Sequence, residues 1–223
     1  MTARDAILSR IRKSLGVAAG DPGRRAIVIS RLDSAPRGVI PERGQLPQHV
    51  RVDLFCIKAE KVSASISRVA AEGEIPGAIA GYLRDHNLPA AIRMGSDPLL
   101  HGLPWDSTPQ IEVAHGPSDG KDAVSVSHAL AGVAESGTIM LASGPENPTT
   151  LNFLPETHIV VLAAADIVGD YESAFDMVRS RHGRGTMPRT VNLITGPSRS
   201  ADIEQTLLLG AHGPRRLHLV IVG

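Results

Sequence analysis

The run His158-Ile-Val-Val-Leu162 limits what this chain can fold into more than any other feature. Apolar residues follow one another there without a period of two, the pattern of a strand covered on both faces. Such a strand needs helices around its sheet, and the neighbouring sequence supplies them. Tyr171, Ala174, Phe175 and Val178 stand at i, i+3, i+4 and i+7, and Ile75, Ile79, Tyr82 and Leu83 share another helical face. Val52–Ala59 also reads as helix. Strands are expected at Ser63–Val69, Ala90–Met94, Ile111–Ala114, Thr190–Ile194 and Leu217–Val222, with Gly95 through Pro109 as loop. The alternation predicts an α/β fold with a mostly parallel sheet and flanking helices. Val124 and Val126 alternate with Ser125 and Ser127 as in a half-buried strand. With Thr138–Ala142 they suggest an antiparallel insertion or flap. Hydrophobic residues make up 42% of 223, enough for a core, and aromatics only 3%, so that core is aliphatic.

Residues 1–50 read differently from 51–223, which divides the chain into an N-terminal arm and an α/β domain. A helix is expected over 2–15, with Thr2 and Asp5 at capping-box spacing and a stripe of Ile7, Leu8, Ile11 and Leu15. Gly16 is its natural stop. Pro22, Pro36, Pro41 and Pro47 then predict an extended connector, with one short strand at Ala26–Ser30. Because 35 extended residues cannot cover the apolar stripe, the helix is expected to dock on its own body or on another subunit, and a homo-oligomer is among the expectations.

Composition narrows the function classes. Lys and Arg number 23 against 23 Asp and Glu, which removes the basic surplus that nucleic-acid binding exploits. No apolar run approaches the length of a membrane span. A single cysteine, Cys56, excludes an internal disulfide, a cysteine-rich zinc site and a four-thiolate iron–sulfur site. The nine histidines show no metal-type spacing with carboxylates. The expectation is a cytoplasmic protein with neither metal nor cofactor of its own.

Three stretches carry the chemistry. In Thr195-Gly-Pro-Ser-Arg-Ser200, a strand end and a glycine turn lead into a helix expected to open near Ser200 and run through Ile203–Leu209. Thr195, Gly196, Ser198, Arg199 and Ser200 would then present backbone N–H groups, hydroxyls and a guanidinium to a carboxylate or phosphate; the alternative is a plain N-cap. In Glu135-Ser-Gly-Thr138, a carboxylate and two hydroxyls sit at a turn feeding a buried strand, so Glu135 is a candidate nucleophile or base, with Ser136, Gly137 and Thr138 beside it. The alternative is a turn carboxylate that caps backbone. In Gly210-Ala-His-Gly-Pro214, His212 is a candidate acid–base group. At the far end of the intervening helix, it shares the anion site only if that helix is short or a neighbouring subunit brings its loop across. His158 reads as buried against a backbone carbonyl. Arg179, Arg181, Arg184 and Arg189, with His182, read as a solvated basic loop or a surface for an anionic partner.

Taken together, Gly132-Val-Ala-Glu-Ser-Gly-Thr138, Leu154-Pro155 with His158-Ile159, Gly196–Glu204 and Gly210–Pro214 resemble the LutC/YkgG family of lactate utilization proteins, the LUD domain. The opening Ala3-Arg-Asp-Ala-Ile-Leu-Ser-Arg-Ile-Arg12 is similar to that family's start. The resemblance implies the NagB/RpiA/CoA-transferase-like fold. It also implies a cluster-free subunit that oxidises L-lactate to pyruvate together with LutA-like and LutB-like partners, which would hold the iron–sulfur clusters. Two other readings stand beside it: a free-standing CoA-transferase-like or phosphate-ester enzyme, in which Glu135 forms the acyl intermediate, and a non-catalytic regulatory or scaffold subunit.

Overall fold

The structure is a computed structural model describing residues 2–183, 185–201, 207–210 and 212–223. They fall into two compact units that divide after Gly38. In the first unit, α1 (Ala3–Leu15) is capped as its sequence predicts. The Thr2 hydroxyl accepts from the Asp5 N–H, the Asp5 carboxylate accepts from the Thr2 N–H, and Gly16 closes the helix in the left-handed conformation. The connector expectation is corrected by α2 (Pro22–Ser34), which replaces the extended run and the strand at 26–30. Pro22 occupies the first helical turn, where its missing N–H costs nothing, and the Asp21 side chain caps the Arg24 N–H. Pro22 therefore starts a helix instead of preventing one.

The second unit begins with α3 (Gln48–Lys61), β1 (Ser65–Val69), α4 (Ile75–Asp85), β2 (Ala91–Met94), the one-turn α5 (Pro98–His101) and β3 (Glu112–His115). It continues through β4 (Val124–His128), β5 (Ala131–Val133), β6 (Thr138–Ala142), α6 (Thr149–Phe153), β7 (Thr157–Ala163) and β8 (Ile167–Val168). Then come α7 (Tyr171–His182), β9 (Val191–Ile194), β10 (Arg199–Ala201), β11 (Leu207–Leu209) and β12 (Arg216–Val222). Six strands form one sheet in the order β1-β12-β7-β4-β2-β3, every pair parallel. A second sheet, β8-β5-β6-β9, is mixed, with β6 antiparallel to both neighbours. The antiparallel element expected near residues 124–142 is thus a hairpin, β5 and β6, that belongs to a sheet of its own.

The side-chain period of two sorts the large sheet onto two cores. Ile159 and Val161 of β7 join Val124 and Val126 of β4 against Ile75, Ile79 and Leu83 of α4. Val160 and Leu162 face the other way, onto Phe55 and Ala59 of α3 and onto Ile139 and Leu141 of the small sheet. The outer face of that small sheet is covered in turn by Ala174 and Val178 of α7. With β7 covered on both faces, an unbroken apolar run is what its position demands. β4 departs from expectation: Ser125 and Ser127 are as buried as their valine neighbours.

A second correction concerns the helix expected to open near Ser200. Arg199–Ala201 pairs antiparallel with Leu207–Leu209, Arg199 opposite Leu209. Residues 202–206 lie outside the described residues. Three consecutive leucines carry no period that separates helix from strand, and here strand pairing prevails.

Candidate functional site

Two cavities occupy opposite edges of the parallel sheet. The first, about 280 Å³, lies at the amino ends of β7 and β12. Thr195, Gly196, Ser198, Arg199 and His212 all line it. The strand pairing explains why His212 is there: β10 and β11 fold back, so both flanks of the hairpin meet. The Ser198 N–H donates to the Pro214 carbonyl, and the Gly210 N–H to the Ser198 carbonyl. The separation expected from an intervening helix does not exist. Arg199 lines this cavity while a guanidinium nitrogen donates to the Val62 carbonyl and to the Ser63 hydroxyl. One of its branches therefore anchors the loop to the end of α3. The backbone of Ser200 lies in β10.

The floor of this cavity is polar and fully buried. Ser127 donates to Oδ1 of Asn152 at 3.3 Å, and Nε2 of His158 lies 3.0 Å from the same Ser127 oxygen. Because the Ser127 proton is spent on Asn152, Ser127 accepts from His158, which fixes the Nε2–H tautomer. His158 is thus buried as expected, but on a hydroxyl instead of a backbone carbonyl. Burial pushes its pKa down to about 3, so the ring is neutral. Two atoms of the strip remain unpaired and buried: the Nδ2 donor of Asn152 and the Nδ1 acceptor of His158.

The Glu135 turn lies beside this site. Gly137, with φ +70°, packs so closely on α3 that a Cβ would stand 2.4 Å from the Ala59 nitrogen. Four hydroxyls then meet: Ser136 and Thr138 each lie 2.9 Å from the Tyr171 oxygen, and Thr138 lies 2.7 Å from Thr195. Through Thr138 the turn touches the cavity wall. Glu135 does not join it: its side chain is 4% exposed, and a carboxylate oxygen lies 3.2 Å from the guanidinium of Arg43. That contact is an ion pair without hydrogen-bond alignment.

The second cavity, about 500 Å³, lies at the carboxyl ends of β2 and β4, the edge where ligands bind in open α/β sheets. Nδ1 of His128 lies 3.1 Å from a carboxylate oxygen of Asp97, whose other oxygen accepts from the Leu100 N–H. Burial alone would raise the Asp97 pKa; the hydrogen bond and charge of His128 and two backbone N–H groups outweigh it, so the carboxyl stays below its ordinary range. Two members of the basic group reach this cavity, Arg181, paired with Glu146 at 2.5 Å, and His182. Arg184 is outside the described residues. Sequence reasoning missed Asp97, His128, Ser127, Asn152 and Tyr171. One signal was present: Val124-Ser-Val-Ser-His128 marks a polar stripe on a strand beside the most buried one.

Two β sheets packed face to face, a parallel main sheet, helices on the outer faces and cavities at both ends of the strands define an α/β domain. The chain belongs to the LUD domain family, whose model matches residues 52–222. It is 41% identical over 91 residues to lactate utilization protein C of Geobacillus sp. and 40% identical over 91 residues to lactate utilization protein C of Bacillus subtilis. An uncharacterized protein of Neisseria meningitidis is 38% identical over 96 residues. The two lactate utilization alignments each span 40% of this chain and 38% of the relative, and the Neisseria one 43% and 40%. A DUF162 family protein from Deinococcus radiodurans shares the fold, with a TM-score of 0.58 at 23% identity over 80% of this chain and 99% of its own. Among the described residues, no helix is long and apolar enough to cross a membrane, and no three His, Cys, Asp or Glu side chains are grouped as a metal site.

Proposed function

We propose that this chain serves lactate utilization as a cluster-free component that binds the 2-hydroxy acid in the cavity at the amino ends of β7 and β12. The observation that carries this reading is that two cavity-lining residues, Asn152 and His158, each keep a buried polar atom without a partner. An Asn152 amide donor matches a carboxylate oxygen, and the bare Nδ1 of neutral His158 matches a hydroxyl proton. A 2-hydroxy carboxylate carries both partners on adjacent carbons. The walls support the same reading, because His158, Gly196–Arg199 and His212–Pro214 line the cavity and fall in the stretches that resemble the lactate utilization family.

Oxidising lactate to pyruvate removes two electrons and two protons. A chain with one cysteine passes those electrons to others, and iron–sulfur partners of the LutA and LutB kind suit that role. The chain's share is to hold the carboxylate and to orient the hydroxyl. A nuclear magnetic resonance titration with L-lactate tests this. The expected result is shifts confined to residues 152–158, 195–199 and 212–214, with pyruvate, which has no hydroxyl proton, binding more weakly. Asn152→Ala is expected to weaken lactate about tenfold or more, the cost of about 1–3 kcal/mol for leaving a buried partner unmet. Unmoved signals in those segments at saturating lactate would overturn the reading.

A further inference from the structure

Nothing in the lactate reading uses the larger cavity, at the carboxyl edge of the sheet. Its lining is nevertheless organised as a site. Asp97, 5% exposed, spends one carboxylate oxygen on the Leu100 N–H and the other on Nδ1 of His128. Beside an ionised carboxylate the proton sits on Nδ1 and, in the neutral ring, Nε2 is left as an acceptor. Of the other lining residues, Asn147 keeps a buried Oδ1 without a partner and His182 a buried Nε2. Ser143 accepts from the Thr190 N–H and keeps its own proton to give. Arg181 of the lining is paired with Glu146, and the Asp97 carboxylate is held behind the His128 ring. With Arg181 paired, the lining presents acceptors that await donors, a set that suits ligand hydroxyls better than an anion.

We propose that this cavity is a second binding site, for a small neutral polyhydroxylated compound of about three to five carbons. One ligand hydroxyl donates to Nε2 of His128 and another to Oδ1 of Asn147, while Ser143 donates to a ligand oxygen. His128 is the contact residue. Asp97 is a positioning residue that acts through the tautomer it imposes. Two parallel strands ending side by side, Met94 paired with Val126, set the reach between the two. The cavity volume of about 500 Å³ leaves room for the ligand with water beside it.

The test is long-range nitrogen–proton spectroscopy of the histidine rings in the full chain, with glycerol, erythritol, ribitol and D-ribose as probes. The wild-type spectrum is expected to show His128 as the Nδ1–H tautomer before any probe is added. At least one probe should then shift the His128 Nε2 and Asn147 signals saturably. His128→Gln should abolish the response and Asp97→Asn should mix the tautomers and weaken binding at least tenfold. Asn152→Ala, in the other cavity, should leave it unchanged. A wild-type His128 in the Nε2–H form would overturn the proposal, as would four probes that move neither signal. Both readouts come from the unaltered protein and so survive a variant that fails to fold. Because the probes carry no carboxylate, failure here leaves the lactate reading standing, and the converse holds.

Discussion

The two cavities use the same residue type in opposite ways. At the carboxyl edge, His128 sits against an ionised aspartate and keeps part of its ring accessible to the cavity. At the amino edge, His158 is wholly enclosed, bonded to a neutral serine and held uncharged. The difference lies in the strand ends. Beyond the carboxyl end of β2, the backbone turns so that the buried Asp97 caps α5. At the amino end of β7, His158 is buried and its partner is the hydroxyl of Ser127 on the neighbouring strand. A cavity reached by charged loops is suited to exchanging hydrogen bonds with a ligand. A cavity floored by serine, asparagine and neutral histidine presents fixed donors and acceptors in place of charge.

The sharpest way to break this contrast is acid. His158 and His218 have pKa values of about 3 and about 4, pushed down mainly by burial; His218 is stacked on Tyr82 and bonded to Ser65 and Ser67. Both lie below the ordinary 6.5, so the unfolded chain binds more protons than the folded one across that window. Their stabilisation is complete above pH 6.5 and is lost as pH falls toward 4. Each ring contributes a slope of about 1.4 kcal/mol per pH unit, roughly 3 kcal/mol per unit for the pair. Urea denaturation at pH 7 and pH 5 should show a loss of several kcal/mol, and His158→Gln should remove about half the slope. Equal stability at the two pH values would mean that these imidazoles are not held neutral.

Each cavity also hangs on a glycine. A Cβ at Gly137 would strike the α3 backbone at a positive φ, whereas a Cβ at Gly95 would lie 2.0 Å from the Glu146 carbonyl oxygen. Gly137→Ala should cost about 3 kcal/mol or more, from overpacking and backbone strain together. Gly95→Ala carries the overpacking alone and should cost about 1–3 kcal/mol. Denaturant midpoints measure both. A Gly137→Ala protein as stable as wild type would show that the hydroxyl cluster at Thr138 does not depend on that turn.

Glu135 supplies the smallest effect and a control for both sites. Its pair with the exposed Arg43 is worth less than about 1 kcal/mol, and Glu135 lines neither cavity. Glu135→Gln should leave lactate shifts and stability within that margin. Arg43→Ala should cost more, since it strands a carboxylate that is 4% exposed. Loss of ligand response in Glu135→Gln would return the carboxylate to the site.

Period and punctuation alone determined α1, α4, α7 and the buried β7. In each, one face or both must be apolar whatever the neighbours are, and Thr2, Gly16 and Pro76 mark boundaries by backbone chemistry that acts locally. The residues Thr195–Arg199 and His212 were legible too, as a loop rich in donors beside a strand end. Only the tertiary structure decided the rest. The leucines at 207–209 take their state from a partner strand, because three apolar residues in a row satisfy a helix and a strand alike. Asp97 meets His128 across 31 positions, and Ser127 meets Asn152 and His158 across 25 and 31. No local pattern encodes such pairs. They exist because parallel strands joined by long crossovers bring distant residues into register at one edge of a sheet, and buried polar atoms then take whatever partners that register provides.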